Sequence, residues 1–210
     1  LMLTTGLGLL LYKNIDTIGH QFILFLIAAV CSGCFLYCFK KKFPYSPAKV
    51  LSPDSFFDYI LLLGCLTFII FIGYLQFQYH VFGHRYGLAT FIPMIVLFFT
   101  AYYFDHLGVL AMAITALAAW GGIAVTPARI LQDNDFNSET IIITGIALGL
   151  VLISAGVFST KNNIKSHFEF TYTNFGTHIL FISLLAALFH FDAVYILLFF
   201  SVVTFFKCQN

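Results

Sequence analysis

The chain of 210 residues is 60% hydrophobic and only 9% charged, with 10 Lys and Arg against 9 Asp and Glu and a formal charge of +1. About a quarter of an ordinary soluble domain is charged, so this composition excludes a soluble globular protein. The near-neutral balance excludes nothing and implies no nucleic-acid partner. What remains is a chain whose main partner is the lipid bilayer. In hydrocarbon, backbone N–H and C=O groups must bond within the protein, which restricts spanning structures to helices and closed barrels. The apolar runs are long and unbroken, without the alternation of barrel strands, and predict helices. The expected fold class is therefore all-α: a polytopic transmembrane helical bundle forming a single domain over 1–210.

Windows of about 19 residues predict eight segments, near 1–12, 21–39, 57–76, 87–104, 107–126, 140–158, 172–189 and 193–206. The first is shorter than the roughly 20 residues that cross a bilayer and is expected to be a truncated segment. In the second, "CSGC" at 31–34 continues to Cys38, placing three thiols on one helix face, where they are expected to act as small packing residues. Before the third, "SPDS" at 52–55 predicts Ser52 as N-cap with Pro53 at the first helical position. Pro93 lies inside the fourth and predicts a kink. The fifth is rich in alanine, and "NSET" before the sixth supplies an N-cap with Glu139 in the first turn. Within the sixth, Gly145 and Gly149 have the small-xxx-small spacing that lets helix backbones approach closely.

Loops of alternate sides differ in charge. Lys40, Lys41, Lys42, Lys49, Lys161, Lys165 and Lys207 fall on one side, and Lys13, Arg85 and Arg129 on the other with Asp133, Asp135 and Glu139. The positive-inside rule makes the lysine-rich loops 40–49 and 161–165 cytoplasmic, with 13–20, 77–86, 127–139 and 190–192 outside. The expected location is a bacterial cytoplasmic (inner) membrane.

An aromatic-Phe-Asp sequence recurs, in "YYFDHLG" at 102–108 and "FHFDAVYIL" at 189–197. Aromatics anchor a helix end at the interface, and Asp is able to N-cap the next helix, so each sequence predicts a tight hairpin. Asp16, Asp105 and Asp192 are 89 and 87 residues apart. Aligned on them, "DTIG" meets "DHLG", "DYILLLG" resembles "ETIIITG", and "TFIPMIVL" runs against "THILFISL". These matches predict three-helix units near 1–76, 87–158 and 172–210. Because three is odd, successive units would be inverted in the bilayer, an arrangement known from transporters.

Candidate chemistry concentrates at the outer face. His20, His80, His84, His190, Asp16 and Asp192 would all lie there, forming a candidate polar or metal cluster. His80 and His84 form an H-x-x-x-H pair, the spacing of metal ligands on one helical face. The plainer reading is that these amphipathic side chains populate the interface. His178 is the clear ionisable group within a segment and is expected to hydrogen-bond between helices. No G-x-S-x-G, H-E-x-x-H, P-loop or dinucleotide-binding glycine pattern occurs, so catalytic residues, reaction and cofactor stay unassigned.

Three functions fit: a transporter-like protein handling neutral or amphipathic solutes at a repeat interface, a metal-dependent membrane enzyme using the outer histidines, and a scaffold or accessory subunit. The third would join a membrane-protein partner or a second copy of the chain. The stretches "FDHLGVLAMAITALAAWGGIAVTP" and "LLLYKNIDTIGHQ" resemble bacterial multi-pass membrane proteins grouped as a domain of unknown function, over about residues 1–160. That resemblance implies a bacterial multi-pass fold and brings no activity to particular residues.

Overall fold

The computed structural model describes residues 19–44, 46, 48–50, 54–83, 86–125 and 139–190. They form α1 (His20–Lys41), α2 (Ser55–Tyr79), α3 (Tyr86–Phe104), α4 (Leu107–Val125), α5 (Glu139–Lys161), a single 3₁₀ turn (Ser166–Phe168) and α6 (Glu169–His190). No strand occurs among the described residues. Five helical stretches are long and apolar enough to cross a bilayer, and Leu107–Gly122 is a shorter apolar one. By length and composition these helices mark the chain as a membrane protein. Segments expected at 1–12 and 193–206 lie outside the described residues, so the count of eight is not reached here. The six that are described start and end within three residues of expectation.

The helices associate as consecutive antiparallel pairs, α1 with α2, α3 with α4 and α5 with α6. Packing in twos gives the three-helix inverted repeat no support. The chain divides into two compact units, one holding α1 and α2 and the other holding residues 43–52 with everything from Tyr86 onward.

In the first unit, Ile23, Cys31, Cys38, Phe57, Leu61, Cys65 and Ile72 are buried. Cys31, Cys34, Cys38 and Cys65 are all free thiols. Cys31 and Cys34 sit over Gly64: the Cys31 Sγ is 3.7 Å from its carbonyl oxygen, and a Cβ there would stand 3.1 Å from that of Cys34. The N-cap of α2 is Asp54, not Ser52. Its extended backbone lets the carboxylate accept from the Phe57 N–H at 2.6 Å. An ionised carboxylate one residue before the helix satisfies that orphan donor more strongly than a hydroxyl.

In the second unit, the α3–α4 hairpin turns over Asp105 and His106. Asp105 takes a left-handed conformation at φ 58, one that Asp tolerates better than most residues. The His106 N–H then reaches back to the Ala101 carbonyl at 3.1 Å, closing the end of α3. The expectation that Asp105 caps α4 is corrected: His106 Nδ1 accepts from the Val109 N–H at 3.2 Å, and the Asp105 carboxylate is engaged elsewhere. Met94, Leu97, Ala101, Val109, Leu110, Ala113 and Ile114 form the buried apolar interior of this hairpin.

α5 and α6 meet backbone to backbone. A Cβ on Gly149 would lie 2.9 Å from the Gly176 carbonyl oxygen, and one on Gly176 would lie 3.0 Å from that of Gly149. At Gly145 a Cβ would collide with the Ser183 side chain. Close approach multiplies dispersion contacts, the main attraction available between helices that have lipid on their other sides.

Candidate functional site

Three segments of the second unit converge on the Asp105 turn. The end of α5 prepares one of them. Ser159, 5% exposed, hydrogen-bonds through Oγ to the carbonyls of Ile164 at 2.6 Å and Lys165 at 3.1 Å. Asn163 and Lys165 both adopt left-handed backbone conformations, at φ 54 and φ 52. The chain thereby reverses and carries the Lys165 side chain inward instead of into solvent.

Lys165 Nζ lies 2.9 Å from Asp105 Oδ2, with the two side chains 1% and 2% exposed. The same ammonium donates to the Ala48 carbonyl at 3.2 Å. The Val50 N–H donates to Asp105 Oδ2 at 2.5 Å, while His167 Nε2 meets Oδ1 at 2.6 Å. Residues 48–50, the α3–α4 turn and the 165–167 turn are thus joined through one carboxylate. Beneath it, Phe168 packs edge-on against Tyr102 at 5.2 Å, and the Tyr102 and Tyr172 hydroxyls are 2.9 Å apart. Desolvating an Asp–Lys pair is costly, and such a pair persists where the remaining lone pairs and protons are also satisfied. Here backbone groups from residues 48 and 50 do that. His167, 17% exposed, is the outermost member. The cluster ties the connections together through the Asp105 carboxylate.

Of the six residues of the expected outer cluster, the structure describes the side chains of His20 and His80. Asp16, His84 and Asp192 lie outside the described residues, and so does the side chain of His190, which ends α6. His20 Nδ1 is 2.7 Å from the Tyr74 hydroxyl. His80 is the left-handed C-cap of α2, and residues 81–83 continue as a turn. The helix leading into the H-x-x-x-H pair thus ends at Tyr79, while His84 lies outside the described residues. Buried Gln76 holds this turn instead, accepting from Phe82 N–H at 3.0 Å and donating to the Gly83 carbonyl at 2.9 Å. Among the described residues, no group of three or more His, Cys, Asp or Glu is placed to hold a metal. His178 is exposed on α6, and Gly145 and Gly149 stand at the α5–α6 contact.

A second feature lies among α4, α5 and α6, where a crevice of about 130 Å³ opens between Ala118, Gly121, Gly122, Thr144, Gly145 and Ile179, among others. Its wall is almost entirely apolar, with Thr144 as a polar exception. The Thr144 hydroxyl donates to the Thr140 carbonyl of its own helix at 2.7 Å.

No family model, curated protein or solved structure matches this chain. Sequence reasoning missed the ionic cluster. Lys165 was countable only as a loop lysine, and His167 carried no motif. The available signal was Asp105 itself, an acidic residue at the lysine-rich end of an apolar hairpin.

Proposed function

We propose that this multi-pass membrane protein handles a neutral, largely apolar solute, with the crevice among α4, α5 and α6 as its binding site. The observation that carries the reading is the crevice itself: about 130 Å³ lined by small and branched apolar residues with Thr144 as a polar exception. Small ligands bind in concave, mostly apolar pockets with few polar groups. The charged cluster at Asp105 is internally neutralised and lies at the hairpin end, away from these walls, which favours an uncharged cargo over an ion.

The membrane is a bacterial cytoplasmic one in this reading, with loops 40–49 and 161–165 inside. Support comes from the bias of the lysines and from the meeting of residues 48–50, 105 and 165–167 at one carboxylate, as connections on one side would.

Filling the crevice tests the proposal. A Cβ on Gly122 would meet nothing within 4 Å, so Gly122→Leu occupies the space without striking backbone. Titrated in nanodiscs with benzene, which matches a crevice of this size, the variant is expected to bind about tenfold more weakly than wild type. Equal binding by a folded variant would remove the crevice from consideration.

A further inference from the structure

The two sides of α6 differ in kind. Tyr172, Gly176, Leu180, Leu184 and Ala187 are buried on one side. On the other, Phe170, Phe181, Ile182 and Leu185 are exposed, as lipid-facing residues would be. Within this apolar face stand Asn174 and His178, both exposed, four residues apart and hence on the same strip of the helix. His178 is near the middle of the Ser166–Leu188 span. Neither side chain has a hydrogen-bond partner among the described residues. The contrast with Thr177 is instructive, because its hydroxyl is satisfied by the Thr173 carbonyl one turn back at 2.6 Å. A carboxamide and an imidazole cannot be satisfied in that way, and hydrocarbon offers them neither donor nor acceptor.

We infer that this face of α6 binds the same face of a second copy of the chain, in the same orientation, through Asn174 and His178. All copies in one membrane insert in one direction, so a two-fold axis along the membrane normal brings residues of equal depth together. Each of these side chains is then complementary to itself. A carboxamide holds both donors and an acceptor, and a neutral imidazole holds one of each. A different helix would need polar groups at two matching depths, whereas a second copy supplies both by symmetry. The strip carries no Lys, Arg, Asp or Glu to oppose the approach, and its Phe, Ile and Leu residues provide the surrounding apolar contact. Polar side chains are an established source of helix association within bilayers.

The test uses the full chain, tagged with donor or acceptor fluorophores and reconstituted into liposomes over a range of protein-to-lipid ratios. Energy transfer is expected to report a dimer in wild type. Asn174→Leu and His178→Leu each remove the hydrogen-bonding group from a lipid-exposed position that tolerates an apolar side chain. Each is expected to raise the protein density needed for half-association by about tenfold. Asn174→Gln, which keeps the carboxamide, is expected to stay within about twofold of wild type. Helicity and elution profile identify variants that fail to fold, and His178→Leu keeps the test open if Asn174→Leu is one of them. A wild type that stays monomeric at every density overturns the inference, as when residues 193–206 of the same chain cover this face. A dimer insensitive to both leucine substitutions overturns it equally.

Discussion

The two units each contain a lysine–aspartate pair, and the pairs have opposite meanings. In the α1–α2 unit, Lys41 and Asp54 are 3.6 Å apart with side chains 50% and 45% exposed. Water screens such a pair, and it contributes little to stability. In the second unit, Lys165 and Asp105 are 2.9 Å apart and almost fully buried. There the charges are held by backbone groups and a histidine, and neither partner can leave without stranding the other. The same two residue types thus give a surface contact in one place and a clasp over three connections in the other. Burial makes the difference.

Removal of one buried charge is expected to have the largest effect. Lys165→Met leaves the Asp105 carboxylate in an interior built around an ammonium, and is expected to lower stability by about 3–5 kcal/mol in denaturant unfolding. Adding Asp105→Asn to it should restore part of that loss, because the stranded charge is then gone. A double variant no more stable than the single would mean that the pair itself, and not the isolated charge, sets the cost.

A smaller effect is expected from Gly149→Ala, whose Cβ would lie 2.9 Å from a backbone oxygen of α6. Backbone cannot yield as a flexible side chain does, so α5 and α6 must separate, at about 1–3 kcal/mol. Loss of α5–α6 proximity in a spin-label distance measurement would accompany it. Smallest of all is Lys41→Ala, expected to leave the unfolding midpoint indistinguishable from that of wild type. A large loss there would show that the exposed pair matters more than its geometry allows.

Much of the fold was legible in the sequence. Apolar runs predicted all six described helices with ends displaced by three residues or fewer, because hydrocarbon forces every backbone group into local hydrogen bonds. The caps were less legible. "SPDS" offers two capping residues, and Asp54 took the role expected of Ser52. At the Asp105 turn the adjacent histidine caps α4, which frees the carboxylate for partners far along the chain. Those partners were not readable. Asp105 is separated from Val50 by 55 residues and from His167 by 62, and no periodicity reports a contact across such distances.

The candidate outer cluster shows the same boundary. Its residue types were readable, while the local roles of its two described members, His20 beside Tyr74 and His80 at the end of α2, were not. Composition and hydropathy determined by themselves that this chain crosses a membrane as helices, and roughly where each helix begins and ends. Those properties follow from the cost of exposing unpaired backbone to lipid, which acts on each segment separately. Which charges are buried, which glycines touch and which polar groups remain facing lipid were decided only by the tertiary structure. They depend on what one helix presents to another, and a left-handed residue such as Lys165 can turn a loop cation into an interior one.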